Sequence, residues 1–165
     1  MPIKQTTLQH HIDEICQLIL NNHLNEIILV AHSYGAMVIT GALDQLYNHI
    51  SCLVYIDSAI PQNGKSLYGL LQENGFNYQD FGLTLDSPCI EPLYFYEKKF
   101  QEKTKAYIRC LQSEFAPAIQ TVYWRMTQQA EKYHWLYFSL DTSHDCMLTQ
   151  PKELAVILSD MSLLV

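Results

Sequence analysis

The sequence predicts an α/β domain, a mostly parallel sheet of about four strands flanked by helices. Three observations predict it. Short apolar runs at 27–31, 51–56, 106–110 and 135–140 carry the β-branched and aromatic residues of buried strands. The run at 27–31 and the run at 51–56 enclose a stretch with helical spacing, and a strand-helix-strand unit of this kind makes its strands parallel. The first run ends in a tight turn with a serine at its apex, Ala31-His32-Ser33-Tyr34-Gly35, and helical spacing begins at once.

Taken in order, Leu8, Ile12, Ile15, Cys16, Ile19 and Leu20 recur on one face and predict an amphipathic helix over 6–22, ended by Asn21-Asn22-His23. After the strand at 27–31, Ala36, Met37, Ile39, Thr40, Ala42, Leu43 and Leu46 predict a helix over 35–48. The strand at 51–56 ends at Asp57-Ser58. Residues 58–104 differ. Pro61, Gly64, Gly69, Gly75, Gly82, Pro88 and Pro92 interrupt them, and aromatic residues crowd in, so they read as an excursion with short helices. Such an excursion at the carboxyl ends of parallel strands lines a ligand pocket or forms a small satellite core. Lys98, Lys99, Lys103 and Lys105 are expected on a solvated helix face. A helix opened by Pro117 is expected over 117–132, and Pro151 opens a last helix carrying Leu154, Ala155, Ile157, Leu158 and Met161. No repeat or low-complexity tract divides the chain, so 1–165 reads as a single domain.

Composition limits the partners. The 165 residues are 48% hydrophobic and 16% charged, as in a globular chain with a full core. A net charge of −7 argues against nucleic acid or an anionic membrane as partner. The five cysteines are widely spaced and form no CxxC pair, which predicts buried free thiols in a reducing compartment, the cytoplasm. The start is too polar for a secretory leader, and no apolar run is long enough to span a membrane.

The chemistry starts at Ser33. Small residues two before (Ala31) and two after (Gly35) let the backbone bend sharply enough to lift a serine hydroxyl clear of the sheet. The helix that follows aims its N-terminal amides at the same point, where they can stabilise an oxyanion. A serine nucleophile needs a base, and the base needs a carboxylate. Among the seven histidines, His144 lies in a loop just after the last strand, at the edge where Ser33 emerges, and is the candidate base. His32, next to Ser33 on a strand end, should point its side chain away from the hydroxyl. Asp57 and Glu114 are the candidates for the acid. Asp57 ends the strand beside that of Ser33 and is slightly preferred; Glu114 follows the third strand. No His pair at helical spacing, no Cys/His quartet and no glycine-rich phosphate loop points to a metal or cofactor.

The stretches LVAHSYGAMVITGAL, LVYIDSAIPQNGKSL, YIRC and SHDCMLTQPKELAVIL resemble the α/β-hydrolase fold family, in particular the small esterases that include plant methylesterases, hydroxynitrile lyases and bacterial relatives. The resemblance runs from about residue 6 to residue 161. It implies Ser33 as nucleophile, His144 as base, the Tyr34 amide as an oxyanion donor and 58–104 as a cap over the pocket. It implies a carboxylesterase for a small apolar ester, with no cofactor.

Two departures qualify this. Ser113 stands where relatives often carry the aspartate, which leaves Asp57 or Glu114 for that role. The family's early strands and its His-Gly oxyanion loop have no counterpart before the helix at 6–22. The strand leading to Ser33 is then expected at an exposed apolar edge, completed by a second copy or another partner. Impaired catalysis, a non-catalytic binding module, or a lyase on the same site are the alternative readings.

Overall fold

The structure, a computed structural model, describes residues 6–77, 88–115 and 135–164. In chain order the elements are α1 (Leu8–Asn21), β1 (Ile27–His32), α2 (Gly35–Leu46), β2 (Ile50–Ile56), α3 (Leu67–Gln72), α4 (Glu97–Glu102), β3 (Thr104–Cys110), β4 (Trp135–Leu140), α5 (Cys146–Thr149) and α6 (Pro151–Met161). The four strands form one sheet in the order β1-β2-β3-β4, and every neighbouring pair is parallel. The α/β class and the order of the elements are those expected. The expected helix over 117–132 lies outside the described residues.

Period-2 alternation divides the sheet between two apolar layers. Leu53 and Tyr55 of β2 and Tyr107 of β3 face α1 and α2. Cys52, Val54 and Ile56 of β2, with Ala106 and Ile108 of β3, face the other way, toward Leu154 and Met161 of α6. Leu43 and Leu46 of α2 are sealed from solvent, and burying side chains of this size stabilises by about 1.5–3 kcal/mol each. All five cysteines are buried, as expected of them. β1 lies at the edge of the described sheet, with Val30 40% exposed.

α1 opens where Thr7 accepts a hydrogen bond from the His10 amide, 3.1 Å, and the Leu8 amide donates to Glu91 at 3.0 Å. It then packs very closely on α2. A Cβ added to Gly41 would lie 2.3 Å from Ile12 Cδ1, so the absence of a side chain there sets the spacing of the two helices.

The lysine cluster corrects an expectation. Lys98 is solvated, but the other three are not a free face. Lys99 Nζ donates to the Asp44 carbonyl at 2.7 Å. Lys103 Nζ donates to the carbonyls of Tyr47 and Ile50, at 2.8 and 2.7 Å, where α2 ends and β2 begins. Lys105 belongs to β3 and is 0% exposed. Its Nζ donates to the carbonyls of Phe100, Gln101 and Lys103, beneath the rings of Phe100 and Trp135. Burial, with the nearby charge of Lys103, pushes this ammonium down to about 7. Charge density along a sequence does not show which helix ends need donors, and α2 and α4 both end here.

Two substitutions test this packing by urea unfolding. Gly41→Ala should destabilise by about 1–3 kcal/mol, because the crowding of Ile12 outweighs the better helix propensity of alanine. Lys105→Met should cost a similar amount, about 1–3 kcal/mol, by removing the donor that three partly buried carbonyls share.

Candidate functional site

β1 delivers Ser33, and the turn that follows is strained. Ser33 has φ +53°, a left-handed conformation that a non-glycine residue adopts at a cost of about 1–3 kcal/mol. Local bonds hold it there. The Ser33 amide donates to the Ile56 carbonyl of β2 at 3.2 Å, and the Ala36 amide donates back to the Ser33 carbonyl at 3.1 Å. α2 therefore starts directly behind the serine. A Cβ on Gly35 would lie 3.2 Å from the Cβ of Ala31, which is why both residues flanking the bend are small.

The same event recurs one strand along. Asp57, just past β2, has φ +42°, and its amide donates to the Ile108 carbonyl of β3 at 2.9 Å. Its carboxylate is 1% exposed, and each oxygen has a donor. The Cys110 amide donates to Oδ1 at 3.2 Å, and His144 Nδ1 donates to Oδ2 at 2.7 Å. A carboxylate accepts only, so the Nδ1 proton belongs to His144, and the neutral ring keeps Nε2 as its basic nitrogen.

His144 is 9% exposed and gripped on several sides. Its ring packs against those of Phe115, centroids 4.5 Å apart, and His32, centroids 4.2 Å apart, both tilted to it. Its backbone carbonyl accepts from His32 Nε2 at 3.1 Å and from the Cys146 amide at 3.0 Å. Burial and the neighbouring His144 ring hold the His32 pKa below the ordinary histidine value.

Ser33, Asp57 and His144 line one cavity of about 240 Å³. Its remaining walls are largely apolar: Ala59, Leu67, Leu71 and Cys89 from the segment between β2 and β3, and Phe115 after β3. Tyr34 also lines it, and its phenol is tied to His11 Nδ1 of α1 at 2.9 Å. Burial raises the pKa of that phenol. A second cavity, about 420 Å³, lies by Phe95, Phe100 and Trp135 and touches none of Ser33, Asp57 and His144. Among the described residues no group of His, Cys, Asp and Glu is arranged to hold a metal ion.

Of the residues singled out in the sequence, the structure brings Ser33, Tyr34, Asp57 and His144 together. Glu114 is exposed and outside the cavity lining. Ser113, at the position where an aspartate was looked for, uses its hydroxyl to accept from the Phe115 amide at 3.2 Å. Sequence reasoning missed the parts played by His32 and Phe115. The only signal for His32 was its place beside Ser33; nothing local marked Phe115. Gly35→Val should lower stability by about 2–4 kcal/mol in urea unfolding, because its branched side chain meets Ala31 inside the bend.

No family model matches the chain. Over 68 residues it is 44% identical to a carbendazim-hydrolysing esterase of Nocardioides sp. (strain SG-4G), a match that covers 41% of this chain and 28% of that protein. The aligned stretch thus spans under a third of the curated relative's length. An extracellular α/β-hydrolase from a Paenibacillus species superposes with a TM-score of 0.72 at 17% identity, covering 96% of this chain and 81% of that one. A pyrethroid hydrolase from Sphingobium faniae JZ-2 gives 0.69 at 14% identity, covering 98% and 79%. Polyneuridine aldehyde esterase gives 0.68 at 15% identity, covering 96% and 80%. The parallel sheet, the strained serine after β1 and these superpositions together identify the chain as one with the α/β-hydrolase fold.

Proposed function

We propose that this chain is a serine hydrolase, a carboxylesterase for a small apolar ester. The observation that carries the proposal is one cavity shared by a serine on a strained strand-to-helix turn and a histidine whose Nδ1 is bonded to a buried aspartate. In this reading Ser33 Oγ attacks the ester carbonyl, and its proton passes to His144 Nε2. Asp57 keeps the ring in the Nδ1–H form and offsets the positive charge it gains. The developing oxyanion is met by the Tyr34 amide at the start of α2. His144 then protonates the leaving alcohol. A water then gives a proton to His144 and its hydroxyl to the acyl carbon, and His144 returns that proton to Ser33 Oγ as the acid leaves.

The substrate class follows from the walls. A cavity of about 240 Å³ faced by Leu67, Leu71 and Phe115 admits a compact apolar group. The esterase name of the Nocardioides relative supports ester hydrolysis, and the apolar walls support an apolar acyl or alcohol part. No cofactor takes part in this chemistry.

A fluorophosphonate tests the reading without knowledge of the substrate. Intact mass should show a single adduct on the parent chain and none on Ser33→Ala. Asp57→Asn should slow adduct formation by about 10³–10⁴, since the ring then loses its preferred tautomer. Glu114→Gln should leave the rate unchanged. No adduct on folded parent protein would remove the hydrolase proposal, and an equal loss in both carboxylate variants would remove Asp57 as its acid.

A further inference from the structure

His32 precedes Ser33 in the chain, yet its contacts lie across the site. Its Nε2 is 3.1 Å from the backbone carbonyl of His144, a residue 112 positions later, and the two imidazoles sit 4.2 Å apart at 46°. A carbonyl only accepts, so Nε2 is the protonated nitrogen. We propose that His32 is a positioning residue for His144, tying the loop that carries the base to the strand that carries the nucleophile and packing against its ring. The inference rests on the hydrolase reading for its catalytic consequence, but its structural half stands by itself.

The reason lies in how His144 is supplied. It comes from a short loop between β4 and α5, not from a helix or strand, so nothing in its own element fixes where the ring points. Asp57 holds one ring nitrogen, Phe115 packs against the ring, and the Cys146 amide donates to the carbonyl. His32 packs its ring against that of His144 and supplies a nitrogen donor from β1 to the carbonyl, which Cys110 Sγ approaches more weakly at 3.9 Å. Because that donor sits on the residue before Ser33, a shift of β1 moves the tie to the base together with the nucleophile.

Its charge state matters as much as its place. The titratable groups that act on His32 are His144, Asp145 and Asp57. Burial and His144 disfavour its charge, while the two aspartates and the carbonyl bond favour it, and the net shift is downward. A neutral ring lets His144 take up a proton during turnover. A second imidazolium against it would oppose that step.

Histidine-selective 15N NMR, which needs no turnover, tests this with two variants. His32→Phe keeps a ring but removes the N–H. His32→Gln keeps an N–H donor but removes the ring's titration. In the parent, His32 should be protonated on Nε2 and titrate below the ordinary histidine range, and His144 should show one Nδ1–H tautomer. His32→Phe should shift or broaden the His144 Nδ1–H signal as its bond to Asp57 loosens; His32→Gln should keep the parent signal. Fluorophosphonate labelling should slow about tenfold in His32→Phe and recover most of that loss in His32→Gln. An unchanged His144 signal in His32→Phe would overturn the proposal, as would a parent His32 that carries its neutral-state proton on Nδ1. Equal labelling losses in both variants would also overturn it. If the parent takes up no fluorophosphonate, the hydrolase reading fails, and the NMR result still decides the positioning role.

Discussion

The site depends on how the parallel strands end. Each of the first three strands hands its first departing residue to the next strand through a backbone bond. The Ser33 amide donates to Ile56, the Asp57 amide to Ile108 and the Leu111 amide to Leu140. The two left-handed residues at Ser33 and Asp57 are therefore held by the sheet itself, which offsets their conformational cost. Since the strands are parallel, these endings fall along one edge. The loop after β4 reaches the same edge and brings His144 with it.

Burial gives the Asp57–His144 contact its strength and its risk. A carboxylate 1% exposed is tolerable only because both oxygens are bonded, one to the Cys110 amide and one to His144. Its charge reaches further. Tyr107, on the neighbouring strand, has its phenol pKa raised by burial and by the nearby Asp57. The apolar walls of Leu67, Leu71 and Phe115 lower the local dielectric, which strengthens interactions among the polar groups of the cavity.

Much of this was legible from local pattern. Apolar runs marked all four strands, and Ala31-x-Ser33-x-Gly35 marked the bend, because the steric demand is local: two side chains that would meet must both be small. His144 was legible from order and position. Lys105 was not, because its charge suggested solvent, while its partners are carbonyls at a helix end formed by other residues. Phe115 and His32 were hidden for the same reason. Their roles exist only where β1, β3 and the loop after β4 converge.

By itself the sequence determined the class of fold, the strained serine and the candidate base, since strand and helix periodicity, turn sterics and chain order are properties of neighbouring residues. Two carboxylates remained open on that basis, because Asp57 and Glu114 both follow a strand and both precede His144. Tertiary structure alone decided which one meets His144. Asp57 turns inward under the bonds from its own amide and that of Cys110, whereas Glu114 lies on the surface. A hydrogen bond between residues 87 positions apart depends on the sheet register and the path of the β4 loop, which no local pattern encodes.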